Sequence, residues 1–271
     1  MVSRLKRRVS YLAAILLGLI EGVTEFLPVS STGHLLIAEQ WLPRQSDLFN
    51  IVIQCGAMLA VLTIFWRRVL DLLSNWRAPV TRDYLVKLAT AFLLTAVGGF
   101  ALKMGGFKLP ESIGPVAWAT LIGGVAILCI EWRLRGRPVH DRITWLVVAA
   151  VVAAQIIAAA CPGTSRSGAT ILFAMAVGLA RTEATEFSFL VGLPTMFAAG
   201  GYELFRELKR GGAGGEQWDL LILGTVTAAI TAFIVVKWLL RFVQSHTFVA
   251  FGWYRIVLGT FLLLLLPKIA R

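Results

Sequence analysis

The sequence predicts an all-α polytopic membrane protein, with about ten helical segments comprising six spans and two re-entrant helix-loop-helix pairs in an inverted repeat. Composition is the first reason: of 271 residues, 58% are hydrophobic and 15% charged, with mean hydropathy +0.77, against ~45–50% and ~25% in soluble domains. Segment count is the second, because ten stretches of ~20 residues use most of the chain and leave no separate soluble domain. The third is a pair of Pro- and Gly-containing polar loops, 28–33 and 162–168, set between apolar stretches. Irregular backbone at membrane depth has to line a cavity or be buried in protein.

The apolar stretches run over 11–27, 34–43, 48–66, 88–105, 113–130, 143–161, 168–180, 187–204, 219–240 and 247–266. Arg4, Lys6, Arg7 and Arg8 precede the first as in a signal peptide. That stretch ends in Glu21 without an A-x-A site, so it is expected to remain as the first helix. The second and seventh stretches are too short to span alone and read as returning arms of re-entrant pairs. Each pair is then followed by three spans, an odd number, so the second half is expected to be inverted. Setting Pro28 on Pro162, an offset of 134, pairs Ser31 with Ser165, Thr32 with Arg166 and Glu21 with Gln155. The chain reads as one membrane domain, 1–271, with repeats 1–132 and 142–271 joined by a charged hinge at 131–142 that holds Pro138.

The excess of 26 Lys and Arg over 15 Asp and Glu, net +11, would suggest nucleic acid in a soluble chain. Here Arg67, Arg68, Arg77, Arg82 and Lys87 fall in one connection and Arg133, Arg135, Arg137 and Arg142 in another. That is the pattern of headgroup attraction and positive-inside bias, and no nucleic-acid partner is expected. Trp41, Trp66, Trp132, Trp145, Trp218 and Trp238 sit at or near segment ends, as interfacial rings do. Cys55, Cys129 and Cys161 lie in apolar sequence without metal spacing and are expected to be buried free thiols.

Glu21 and Glu25 interrupt the first apolar helix one turn apart, so both point to one face. Ionisable groups at bilayer depth cost roughly 2.5–3.5 kcal/mol and usually mark a functional path. Two carboxylates together need a divalent metal, a proton or a cation such as Arg166 between them; a structural partner in Arg255 is the blander account. Ser30, Ser31, Thr32 and Gly33 open the next helix just before His34, and Thr164, Ser165, Arg166, Ser167 and Thr170 open the eighth. Any single hydroxyl could be a helix cap. Two helix N-termini with a guanidinium fork nevertheless make an anion site suited to phosphate, beside a carboxylate site suited to a cation.

The run 21–34, EGVTEFLPVSSTGH, together with 162–170, PGTSRSGAT, resembles the bacterial undecaprenyl-diphosphate phosphatase family linked to bacitracin resistance. The resemblance extends to 49–57 and 254–259 and so covers essentially the whole chain; Cys55 stands where an aliphatic residue is expected. It implies hydrolysis of the lipid carrier's diphosphate to the monophosphate and inorganic phosphate, which recycles the carrier for peptidoglycan synthesis. It further implies a divalent cation (Mg or Ca), a site facing the outer side of the cytoplasmic membrane and a homodimer. Carried over by motif position, Glu21, Glu25, Ser31, His34, Ser165, Arg166 and Thr170 form the site. Glu21 and Glu25 would hold the metal, or Glu21 would activate the nucleophile, with Ser30, Thr32, Thr164 and Ser167 binding substrate. The attacking group is open among water, Ser31 and His34.

Two other functions compete. The other membrane lipid-phosphatase superfamily needs a later His where Leu172 stands and a Lys where Ile130 stands, so it fails on two of its three patterns. A transporter or flippase of a polyprenyl phosphate lipid would use the same broken helices without cleavage. Charge alone leaves orientation unsettled: connections 67–87 and 131–142 argue for one face as cytoplasmic, whereas the basic N-terminus, Arg206, Lys209 and Arg210 weigh against it.

Overall fold

A computed structural model describes residues 2–43, 45–106, 113–209 and 217–269. These residues form eleven helices: α1 (Val2–Thr24), α2 (Ser31–Ala38), α3 (Asp47–Ile64), α4 (Trp66–Ser74), α5 (Pro79–Met104), α6 (Ile113–Leu134), α7 (Trp145–Ala160), α8 (Arg166–Ala176), α9 (Arg181–Lys209), α10 (Trp218–Ser245) and α11 (Val249–Ile269).

Local chemistry sets several of the helix starts. Ser46 accepts from the Phe49 amide at 3.0 Å to cap α3, and Thr144 accepts from Val147 at 3.3 Å to cap α7. Pro79 opens α5, where its missing N–H costs nothing. The two short apolar stretches of the sequence are the short helices α2, of eight residues, and α8, of eleven.

Three helices, α5, α6 and α10, are each long and apolar enough to cross a membrane, and α3 with α4 makes a fourth candidate bent by 65°. The protein is thus a polytopic membrane protein. Helix α4 is a correction, because the sequence placed these residues in a connection. The chain bends at Phe65, and the short helix leaves Trp66, Arg67 and Arg68 exposed while burying Leu72. Helix α5 starts at Pro79 instead of 88, so Arg82 and Lys87 are helical. Lys87 is buried, paired at 2.5 Å with Asp83 one turn earlier. Helix α9 likewise outruns its apolar stretch, 187–204, at both ends, and carries Pro194 inside. Buried thiols were expected throughout, but Cys129 and Cys161 are exposed and Cys55 is half-buried. The six named tryptophans are all substantially exposed, as interfacial rings should be.

Small residues let the inner helices meet closely. A Cβ on Gly22 of α1 would stand 2.6 Å from the Ala228 carbonyl of α10, so only glycine permits this crossing. Helices α1 and α3 both pack on α10, α7 and α9 both pack on α5, and α6 pairs with α11. One end of the molecule gathers the turns after α3, α6, α8 and α10. There Arg68 meets Glu186 at 3.2 Å, the His140 amide donates to the Gly178 carbonyl at 2.9 Å, and Glu131 accepts from Arg181 and from the Phe248 amide. At the other end Tyr11 bonds Asp219 and Lys103 lies 3.7 Å from Glu203.

Candidate active site

The turns before α2 and α8 share one cap geometry. Ser30 (φ 74°) and Ser165 (φ 67°) are the positive-φ residues other than glycine among those described. Each caps the helix that follows it: Ser30 Oγ accepts from Gly33 N at 3.4 Å and Ser165 Oγ from Gly168 N at 3.2 Å. The shared unit is Ser-x-x-Gly in both loops. This corrects the sequence register, since the capping serines are 135 residues apart, not 134. Ser30 matches Ser165, and Ser31 matches Arg166. The second turn carries one residue more between its proline and its cap than the first, so the backbone aligns on the cap and not on the proline.

The loops touch directly. Ser167 Oγ donates to the Glu25 carbonyl at 2.8 Å, and Ser165 Oγ lies 3.5 Å from the Leu27 carbonyl. A Cβ on Gly168 would stand 3.1 Å from Pro28. Arg255 of α11, 1% exposed, pins both loops. Its guanidinium donates to the carbonyls of Pro28 in the first loop, Gly163 and Thr164 in the second, and Ala119 and Thr120 of α6. It is therefore no counter-ion to Glu21 or Glu25, the pairing that its place inside an apolar stretch suggested. It satisfies carbonyls that the broken helices leave open.

The ion pair at the site is Glu25 with Arg166, Oε1 to Nη2 at 2.8 Å, both largely buried. The other Glu25 oxygen accepts from Ser31 Oγ at 2.8 Å. Arg166 lies against Gly192 of α9, where any Cβ would collide with the guanidinium. These groups face a cavity of about 430 Å³ lined by Glu25, Ser31, Thr32, Thr164, Ser165 and Arg166 from the loops. Gln54, Thr95, Gln155 and Thr195 line it from α3, α5, α7 and α9.

The remaining residues singled out in the sequence lie elsewhere. Ser30, Ser167 and Thr170 are buried: Ser30 caps α2, Ser167 holds the first loop and lies 3.3 Å from Ser165 Oγ, and Thr170 returns to the Arg166 carbonyl at 2.9 Å. His34 lies outside this cavity. Its Nδ1 is 2.7 Å from the Ser30 carbonyl and its Nε2 is 2.6 Å from the Tyr254 hydroxyl. It borders a second, mostly apolar hollow with Leu27, Phe251 and Tyr254. The sequence reading missed Gln54, Thr95 and Thr195 as wall residues, and met Gln155 only as the partner of Glu21 in the repeat. The available signal was the one that found Glu21: a polar residue breaking an apolar stretch.

Glu21 is fully buried, and neither of its carboxylate oxygens has a hydrogen-bond partner among the described residues. Orphaned carboxylate oxygens one turn from Glu25 suit a hard cation, which takes one or two carboxylates and completes its shell with water and phosphate oxygens. No group of three or more His, Cys, Asp or Glu placed to hold a metal ion occurs among the described residues, so protein carboxylates would fill only part of that shell. Glu21 and Glu25 supply the donor type that a divalent ion of the Mg or Ca type would need.

A buried guanidinium and hydroxyls on two turns that touch, inside a polytopic helical membrane protein, form a pocket with the donors that an anion takes. The chain belongs to the family described as bacitracin resistance protein BacA, whose model matches residues 14–261. It is 57% identical over 254 residues to an undecaprenyl-diphosphatase of Rhizobium etli, covering 93% of this chain and 96% of that protein. It is 52% identical over 260 residues to an undecaprenyl-diphosphatase of Xanthomonas oryzae, covering 96% and 98% respectively.

Proposed function

We infer that the protein hydrolyses undecaprenyl diphosphate to undecaprenyl phosphate and inorganic phosphate, and that this activity underlies bacitracin resistance. The observation that carries the reading is the Ser31–Glu25–Arg166 chain on the cavity wall. A nucleophile within 2.6–3.2 Å of a base that is itself oriented by a third group is the arrangement that activates a hydroxyl. Ser31 attacks the terminal phosphorus and Glu25 takes its proton. The bridging P–O bond breaks, lipid monophosphate leaves, and water then hydrolyses the phosphoserine to release inorganic phosphate. Arg166 holds the terminal phosphate as charge spreads over its oxygens. A divalent cation held by Glu21 and Glu25 would neutralise phosphate charge. His34 serves by position: bonded to the Ser30 carbonyl and to Tyr254, it steadies the turn that aims Ser31.

The purified protein in detergent is expected to release phosphate from farnesyl or undecaprenyl diphosphate. A flippase without hydrolase activity would release none, since transport needs two compartments. A phosphorylated intermediate on Ser31 is expected on rapid quenching. Oxygen-18 entering phosphate from water in a single step, with no adduct, would remove Ser31 as nucleophile and leave water.

The two halves, 1–132 and 142–271, form an inverted repeat. Matched packing supports this, α1 on α10 answering α7 on α5, as do the twin capped turns. By helix order the arms of the first pair start and end at the Tyr11–Asp219 end, and those of the second at the Arg181–Glu131 end. Helices α3, α5, α6, α9, α10 and α11 are then the six spans. The connections holding Arg67, Arg68, Arg77, Arg133, Arg135 and Arg137 lie at the second end, which we place in the cytoplasm of a bacterial inner membrane. Thr95 and Ala199 lie in the halves of α5 and α9 nearer Lys103 and Tyr202, so the cavity opens toward the outer side. Outer-side labelling of a cysteine placed at Gly211, which with Arg210 lies outside the described residues, checks the orientation. The protein works as a homodimer, which crosslinking in native membranes tests.

A further inference from the structure

The cavity has a second polar wall that phosphoryl transfer does not use. Gln155, 3% exposed, donates its amide to Thr95 Oγ1 at 2.8 Å, joining α7 to α5. A hydroxyl has one proton and two lone pairs, and this bond occupies only a lone pair. In an apolar helix a threonine ordinarily spends its proton on the carbonyl one turn back. Thr90, on the same helix, does so with Val86 at 2.7 Å. Thr95, only 7% exposed, makes no such bond, and its proton goes to no acceptor among the described residues. Thr95 and Gln54 both line the cavity.

This uncharged wall and the guanidinium line the same cavity. Arg166 packs on Gly192, and Thr195, three residues along α9 and so a neighbour at about 5–6 Å on the helix surface, lines the cavity with Thr95 and Gln54. The two phosphates of a diphosphate lipid differ in what they need. The terminal phosphate carries more charge and is the one transferred, which suits the fixed cation. The phosphate that stays on the lipid bears one ionised oxygen, for which neutral donors suffice, and they let the product go.

Resting on the hydrolase reading, we propose that Thr95, held in place by Gln155 and assisted by Gln54, binds the phosphate that remains on the lipid. Thr95 and Gln54 touch substrate, whereas Gln155 is a positioning residue. This second seat makes the site selective for a polyprenyl diphosphate and is the last contact of the polyprenyl monophosphate before it leaves.

The test measures equilibrium binding of two probes, farnesyl phosphate and inorganic phosphate, to the purified full chain in detergent, without turnover. Thr95→Val is expected to weaken farnesyl phosphate binding about tenfold, the loss of one hydrogen bond to an ionised group, and to leave inorganic phosphate within about twofold. Gln155→Leu is expected to weaken farnesyl phosphate about threefold. Thr95→Ser, which keeps the hydroxyl, is expected to bind like the wild type. Parallel weakening of both probes in Thr95→Val means general damage and overturns the proposal, as does no change in either. A wild-type protein with this Thr95-dependent binding that releases no phosphate from farnesyl diphosphate overturns the hydrolase reading instead of the seat.

Discussion

The turn before α2 and the turn before α8 share one cap geometry and carry opposite chemistry. Both place a serine at positive φ, both use its hydroxyl to cap a helix through a glycine amide, and both stop an apolar helix short. The position after the cap is Ser31 in one and Arg166 in the other. The first turn adds Glu25 and, one helical turn before it, Glu21; the second adds no carboxylate. The repeated element is thus scaffold, and the chemistry sits beside it. On the proposed reading one half brings the nucleophile and the oxygens for a cation, the other the fork for the phosphate, and neither turn would make a site alone.

The sharpest way to break this division is at its cationic side. Arg166→Ala should lower kcat/KM by about 10³-fold or more in a phosphate-release assay, in the range for removing a transition-state arginine. It also leaves Glu25 without its partner. Arg166→Lys should restore little, because an ammonium is not a fork; full activity in the lysine variant would show that charge alone suffices. At the acidic side Glu25→Gln should cost about 10²-fold, as for a lost general base. Glu21→Gln should raise the divalent-ion concentration needed for half-maximal rate, and unchanged ion dependence in both variants would remove the metal from these carboxylates. Gly192→Ala, on neither loop, should cost about tenfold in kcat/KM by displacing Arg166, with little change in the thermal midpoint. The smallest effect lies in the shared scaffold. Ser30→Ala and Ser165→Ala lose the cap and keep the strained φ, costing about 1–2 kcal/mol, whereas Ser→Gly at either position should stay within about 0.5 kcal/mol because glycine accepts φ above zero. A large glycine effect at Ser30 alone, read by thermal unfolding, would show that the two turns are not equivalent.

Much of this was legible in the sequence because membrane composition makes polar residues conspicuous. The broken helices, both loops, Glu25, Ser31 and Arg166 follow from a few polar letters in an apolar text. The loops' register did not: proline is the prominent letter, but the backbone aligns on the capping serine, and capping is a hydrogen bond that spacing alone does not reveal. His34 was singled out by its neighbours in sequence, and its contact on α2 with Tyr254, 220 residues away, is one that spacing does not give. The roles of Ser167 and Thr170 were unreadable for a similar reason, since a hydroxyl spent on a carbonyl has the same letter as one facing a ligand. Helix α4 and the early start of α5 escaped because amphipathic, charged turns resemble a connection when only hydropathy is followed.

Arg255 gives the site a property that no single contact shows. With its hydrogen bonds among the described residues all going to carbonyls, it adds a positive charge to that of Arg166, and together they match the two formal negative charges that Glu21 and Glu25 carry when ionised. With both carboxylates ionised the cleft would be formally electroneutral, which would lower the cost of keeping four ionisable side chains in a medium that excludes charge. A diphosphate headgroup upsets that balance on arrival, and a divalent cation entering with it would restore it. Lipid and ion affinities would then be linked reciprocally, each tightening the other by the same factor.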